Sequence, residues 1–414
     1  MKYFFPDSQD FVDPSFDFER ETRAVDRVRH RDDLYAHEVF EHEPYHGMLV
    51  SKGIVDGSPS GGSGRYSMAQ RHRLLRVGAP TFFRLNRENK RRIELMGDCG
   101  AFTYVKEETP PYTVDEVLEF YESCKFDYGI SIDHVILGYD ASLDARGRKK
   151  DIPQEYAERQ QLTLALASDF FRTHSKERLG FVPIGVAQGW SPRSYAHAVK
   201  KLQKIGFRYI ALGGMVPLKT SEILAALEEI ATVKRPDTRL HLLGITRLDW
   251  LSKFREQGVV SFDSTSPLRQ AFKDEKDNYY TMERAYPAIR VPQIDGNTTL
   301  QKKIRSGQIP QDEARRLEKS CLESLRKYQQ GKRINRTKLV SLIVEYEQLL
   351  GSRKDRSAAY LDVLATRPWA SCTCTICRKI GHHVILFRGA ERNRRRGFHN
   401  TWIFYQRLRG EIAP

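Results

Sequence analysis

Phe181-Val-Pro-Ile-Gly-Val-Ala-Gln188 is a buried-type apolar run that ends on an amide, and the text after it changes period. Ser191-Pro192 supplies a helix cap and a proline suited to a first helical position. Ala196, Val199, Leu202 and Ile205 then recur at helical spacing until Gly206 stops the helix. The same unit repeats: strand Tyr209–Leu212, helix Glu222–Ala231, strand Leu240–Ile245, a helix opened by Thr246-x-x-Asp249, and strand Val259–Phe262. Apolar strands joined by amphipathic helices imply a parallel sheet with both faces covered. Upstream, Thr113-x-x-Glu116 forms a capping box for a helix reaching Cys124, between strands ending near Asp98 and Asp133. At least six βα units are visible, so the expected fold class is α/β, a (β/α)8 TIM barrel rather than an open sheet.

Outside that repeat the chain changes character. Residues 56–64 form a Gly/Ser-rich loop, and residues 300–355 are charged and helical in period, resembling an inserted module. The expected division is a barrel with an N-terminal extension over 1–270, a charged helical insertion over 271–360 and a metal-binding subdomain closing the barrel over 361–414. The chain has 414 residues and is 40% hydrophobic, ample for a core. No run approaches the roughly 18 to 20 apolar residues that span a bilayer. The start, Met1-Lys-Tyr-Phe-Phe-Pro-Asp, is unlike a secretory signal, so a reduced, cytoplasmic protein with no membrane partner is expected.

The formal net charge of +15 favours a polyanionic partner, most simply nucleic acid. Between Phe387 and Gly410 lie Arg388, Arg392, Arg394, Arg395, Arg396, Arg407 and Arg409 with the single acid Glu391. Interleaved Phe398, Trp402, Phe404 and Tyr405 suit stacked bases, although some must be core. Arg394, Arg395 and Arg396, with Arg269, are the expected contacts to a nucleic-acid backbone.

The same region carries Cys372-Thr-Cys374-Thr-Ile-Cys377. Three thiols within six positions can converge on one soft cation, and an imidazole completes a tetrahedral Cys3His shell for one structural Zn2+ per chain. Cys99, Cys124 and Cys321 are scattered, which speaks against disulfides. For the fourth ligand, His382 and His383 are nearer in sequence than His399.

In a barrel of this class, working residues come from the C-terminal ends of the strands. Those ends supply Asp98, Asp133, Gln188-Gly189, Gly213-Gly214, Leu243-Gly244 and Asp263. Singly, each aspartate has another explanation, since Asp98-Cys-Gly suits a turn and Asp263-Ser264 a helix cap. Together, three carboxylates and an amide facing one cavity, with glycines admitting a planar ligand, suit cleavage of a glycosidic bond by a nucleophile and a proton shuttle.

These residues resemble the queuine/archaeosine-type tRNA-guanine transglycosylases, zinc-containing (β/α)8 enzymes that exchange guanine for a 7-deazaguanine. Asp98-Cys-Gly-Ala-Phe102 is similar to that family's Asp-Ser-Gly-Gly-Phe/Tyr, and Gly185-Val-Ala-Gln188-Gly to its Gly-Ile-Val-Gln-Gly-Gly. Leu212-Gly-Gly214 resembles Ile-Gly-Gly, and Phe262-Asp-Ser-Thr-Ser-Pro-Leu-Arg269 resembles Phe-Asp-Cys-Val-x-Pro-Thr-Arg. The resemblance covers about residues 80–280 and 370–410 and favours His399 as the fourth zinc ligand. It implies that Asp263 attacks C1′ to form a covalent intermediate and that Asp98 moves protons on the departing and arriving bases. Asp133, Gln188, Gly213 and Gly214 would read the purine edge, and Phe102 and Leu243 would sandwich the base.

Several positions depart from that pattern: His134, Trp190, Ala101, Thr103, the short Cys377–His399 gap and the charged segment between 270 and 370. With the opening Phe5-Pro-Asp-Ser-Gln-Asp-Phe-Val-Asp-Pro, they resemble the DpdA-type DNA-guanine transglycosylases. That branch implies insertion of 7-cyano-7-deazaguanine (preQ0) into DNA within a modification system that includes an ATPase partner, and a homodimer is a further possibility carried over from the tRNA enzymes. A tRNA-guanine transglycosylase is the alternative, with a non-catalytic nucleic-acid-binding paralogue behind it. Retention of Asp98, Asp133 and Asp263 argues against that paralogue.

Overall fold

In the structure, a computed structural model describing residues 1–58, 62–85, 92–146, 151–273 and 277–412, eight parallel strands close into a barrel. They are β1 (Lys2–Pro6), β2 (Gly47–Ser51), β3 (Glu94–Asp98), β4 (Tyr128–Ile130), β5 (Val182–Ala187), β6 (Tyr209–Leu212), β7 (Arg239–Leu242) and β8 (Val259–Asp263). Each strand pairs with its sequence neighbours, and β1 closes on β8 with Phe4 opposite Asp263. The connecting helices are α1 (Met68–Phe82), α2 (Val114–Ser123), α3 (Gln154–Glu177), α4 (Pro192–Ile205), α5 (Thr220–Ala231) and α6 (Leu251–Glu256). This is the expected (β/α)8 architecture.

Alternation along the strands fills the interior. Phe4, Leu49, Met96, Ile130, Ile184, Val186, Tyr209 and Ala211 form one buried cluster, one or two from each of the first six strands. Burying each large apolar side chain contributes roughly 1.5–3 kcal/mol. The helix signals operate as their chemistry requires. Ser191 Oγ accepts from the Ser194 amide at 3.3 Å, and Gly206 ends α4 at φ 131°. At α2, Thr113 Oγ1 accepts from the Glu116 amide at 3.2 Å while Glu116 accepts from the Thr113 amide at 2.7 Å.

Three expectations need adjustment. The barrel begins at residue 2, because β1 and β2 are five-residue strands separated by the long excursion 10–44. The helix expected to open at Thr246 starts at Leu248 as a 3-10 turn, with no side-chain cap from Arg247. Strand β4 ends at Ile130, so Asp133 stands on the loop beyond it. Of the low-complexity loop 56–64, residues 59–61 lie outside the described residues.

By internal packing, Met1–Gln9, Tyr45–Thr265 and Leu408–Pro414 make one compact unit, and Asp10–Pro44 with Ser266–Arg407 a second. The second unit holds α7 (Thr298–Arg305), α8 (Gln311–Gln329), α9 (Arg336–Leu349), α10 (Ser357–Thr366) and α11 (Thr375–Ile380), and most of α12 (Gly389–Ile412). Within it, α8 and α9 bury Leu317, Cys321 and Leu325 together with Leu339, Ile343 and Tyr346. No helix among the described residues is long and apolar enough to cross a membrane.

Candidate active site and metal centre

Asp98 is the last residue of β3. Gly100, in the left-handed region at φ 83°, turns the chain into a 3-10 turn that presents Phe102, 53% exposed. Asp133 is buried behind it. The Asp133 carboxylate accepts from Gln188 Nε2 at 2.6 Å and from Cys99 Sγ at 3.4 Å, and Tyr104 Oη donates to the Asp133 carbonyl at 3.1 Å. Gln188 is held from its other side, its Oε1 accepting from the Ile136 amide at 3.2 Å. A side chain on Gly213 would strike Gln188, and one on Gly214 (φ 71°) would strike the Ile136 carbonyl. These two positions therefore require glycine for the amide to sit where it does.

Asp263 ends β8. Its Oδ1 accepts from the Gly244 amide at 3.0 Å and lies 3.2 Å from His241 Nε2. His241 Nδ1 is 2.6 Å from Ser261 Oγ, which in turn contacts Tyr209 Oη. With the His241 hydrogen on Nε2 each contact in the row has one donor: Tyr209 donates to Ser261, Ser261 to His241, and His241 to Asp263. Leu243, between His241 and Gly244, is half-buried on the barrel core.

Loss of solvent, with the Asp133 and Asp263 carboxylates, raises the Asp98 carboxyl to about 7 against the opposing Gly100 amide and Ser51 hydroxyl. Asp133 is raised to about 6, again chiefly by burial and against its bonds from Gln188 and Cys99. Asp98 thus stands near neutrality, where a proton shuttle works best, with Asp133 about one unit below it.

The linkage has a definite sign. Because its folded pKa is raised, Asp98 contributes stability that is complete below its ordinary 3.8 and lost as pH rises through about 7. Asp98→Asn, neutral throughout, should melt a few degrees above the parent at about pH 8, with the gap closing towards about pH 5. Thermal melts at the two pH values check this, and a pH-independent gap would contradict it.

In the second unit, Cys372, Cys374, Cys377 and His399 bring their ligand atoms within 4.8 Å of one another. His399 Nδ1 lies 3.8, 3.3 and 3.5 Å from the three sulfurs in sequence order. A tetrahedral ion with bonds of about 2.3 Å to sulfur and 2.0–2.1 Å to nitrogen needs edges of about 3.5–3.8 Å, so the set fits a thiophilic metal. Cys374 also caps α11, accepting from the Cys377 amide at 3.3 Å. The imidazole is oriented through its other nitrogen, 2.7 Å from the Tyr280 carbonyl, and by stacking on Tyr279 at 4.3 Å. Asn400 ties the same segment down, accepting from the Tyr280 amide at 2.9 Å. His382 and His383 pack against each other away from this cluster, so His399 is the fourth member.

The chain is 51% identical over 417 residues to a Salmonella montevideo protein named DNA-guanine transglycosylase, covering 100% of this chain and 98% of that relative. This chain belongs to the DNA-guanine transglycosylase family. No family model matches it. Membership makes it a guanine transglycosylase, consistent with the barrel and with a cluster able to hold a metal ion late in the sequence, at residues 372–399.

For a DNA-guanine transglycosylase, the structure groups Asp98, Phe102, Asp133, Gln188, Gly213, Gly214, Leu243 and Asp263 at one end of one barrel. The arginines read from the sequence as phosphate contacts divide differently. Arg269 is exposed on the short helix Ser266–Gln270, and Arg394 is half-buried beside Glu391. Arg395 and Arg396 are buried: Arg395 pairs with Glu391 at 2.7 Å, and Arg396 donates to the carbonyls of Val384, Leu386 and Ala271. Arg388 and Arg392 are likewise engaged by Glu21. Those guanidiniums hold the second unit together, and Arg395 and Arg396 are closed to a phosphate. Sequence reasoning missed His241, Ser261 and Tyr209. Their signal was slight: a histidine, a serine and a tyrosine at inward-facing positions of otherwise apolar strands.

Proposed function

We propose that this chain exchanges guanine in DNA for 7-cyano-7-deazaguanine through a covalent Asp263–glycosyl intermediate. The observation carrying this reading is the grouping of Asp98 and Asp263, at the ends of β3 and β8, with Asp133 from the loop after β4. Burial and the other two carboxylates hold Asp98 near neutrality. In the first half-reaction an Asp263 oxygen forms a bond to C1′ as the C1′–N9 bond breaks. The departing guanine takes the electron pair and receives a proton from Asp98. In the second, Asp98 takes a proton from the incoming base, whose nitrogen displaces Asp263 from C1′. Two inversions retain the β-anomer. The target nucleotide must first leave its stack.

His241 and the Gly244 amide act through Asp263. Two donors on Oδ1 leave the second oxygen to attack and hold the carboxylate against rotation. Asp133 and Gln188, already locked to each other, are suited to the donor–acceptor edge of a guanine-like base, and Phe102 and Leu243 to its faces. Zinc at the Cys3His cluster would be structural, because four protein ligands leave no open position. DNA as the polymer is supported by the name of the full-length relative. Participation in a 7-deazaguanine modification system with an ATPase partner, the three-part division at residues 270 and 360, and a homodimer belong to the same reading.

The test is incorporation of labelled 7-cyano-7-deazaguanine into plasmid DNA and bulk tRNA in parallel, with Asp263→Ala as the blank. Label in DNA alone is expected. Label in tRNA alone would overturn the polymer, and label in neither, even with a lysate supplying partner proteins, would overturn the exchange.

A further inference from the structure

The family's substrate is a polyanion, yet the arginine cluster that first suggested its track is largely consumed internally. The second unit offers another place. A cleft of about 820 Å³ opens among residues 290–303, 347–356 and 387–389. Its lining includes Arg290, Lys303, Arg353, Lys354 and Arg356, against the single carboxylate of Glu347. Arg388 also borders it but is committed to Glu21 and Glu318. Glu347 is shared between Arg290 at 3.1 Å and Arg356 at 3.4 Å, so one negative charge faces two guanidiniums. Lys303 donates to the Leu350 carbonyl at 3.3 Å, which carries no net charge. Arg353 is exposed and forms no ion pair among the described residues. Asp355 turns away to accept from the Ser357 amide at 2.8 Å.

Like charges gathered in a cleft repel one another and lower stability unless an anion joins them. The neutral lining, Thr298, Thr299 and Ser352, adds hydroxyl groups, two of them at the start of α7, whose Thr299 and Leu300 amides Asn297 Oδ1 already caps. The one aromatic, Phe387, lies beneath Arg290 with 5.5 Å from guanidinium to ring. The cleft therefore has charge and donors but no free aromatic face on which a base could stack. That chemistry matches a sugar–phosphate backbone.

We propose that this cleft binds the phosphodiester backbone of the DNA, an inference resting on the DNA reading above. Neutralising Lys303, Arg353 and Lys354 together as glutamines should lower the salt dependence of DNA binding. Each lost phosphate contact removes about 0.9 from the slope of log affinity against log salt, so the triple variant should lose roughly 2–3. Its affinity for DNA at about 0.1 M salt should fall at least tenfold. A control with Lys200, Lys201 and Lys204 of α4 changed to glutamine should keep a steeper slope than the cleft variant. Arg353→Glu alone, a change at an exposed side chain, repeats the test should the triple variant fold poorly. An unchanged slope and affinity in folded cleft variants would overturn the inference. Failure of the parent to label DNA would instead overturn the reading on which it rests.

Discussion

Asp263→Asn is expected to lower base exchange by about 10⁴-fold or more, the scale on which loss of a covalent nucleophile is felt. The amide keeps the size and the bond from Gly244 but cannot attack C1′. Folding should be preserved, since Asp263 sits at a strand end and its contacts there are the Gly244 amide and His241. His241→Phe separates attack from orientation. The ring still fills its buried place against Phe4, and Ser261 keeps Tyr209, but Oδ1 loses a donor. A loss of about 10- to 100-fold, in kcat rather than KM for the incoming base, is expected of such a positioning group. Equal kcat in His241→Phe and the parent would remove His241 from the mechanism. Full activity in Asp263→Asn would remove Asp263.

Cys374→Ser should have the second large effect, on folding before chemistry. Cys374 supplies a ligand atom and also caps α11, so its loss strikes the metal cluster and a helix start together. Because ligand convergence requires the folded state, metal-binding free energy is folding free energy. The parent should carry about one zinc per chain by elemental analysis, and the variant close to none, with aggregation or a melting temperature lowered by ten degrees or more. A folded, metal-free, active Cys374→Ser protein would refute a structural metal.

How far the sequence could be read depended on how local each signal was. Strands β5 to β8 carry continuous apolar runs, α4 has a Ser-Pro start and a glycine stop, and α5 has apolar residues at helical spacing, all of which act within a few residues. The strand ends could be read for the same reason, and so could Asp98, Gln188 and Asp263. Strand β1 was hidden because five residues followed by a long excursion give no periodicity. His241 was hidden because its role depends on Asp263, 22 positions away on the neighbouring strand. The arginines of α12 were misread because a run of positive charge looks identical whether its partners are phosphates or carboxylates. Here Glu21 takes Arg392 and the preceding Arg388, Glu391 takes Arg394 and Arg395, and backbone carbonyls take Arg396. Glu21 lies more than 360 residues away from Arg388 and Arg392. The fourth metal ligand was open on spacing alone, and the fold chose His399 by bringing α12 beside α11.

The central claim is that Asp263 becomes covalently bound to C1′. The chain should be incubated with a guanine-containing DNA oligonucleotide without an incoming base, quenched in denaturant and mapped by peptide mass. The account predicts a protein–DNA adduct on Asp263, reversed by added 7-cyano-7-deazaguanine and absent from Asp263→Ala. Base exchange proceeding with no adduct, or with the adduct on Asp98 or Asp133, would contradict it.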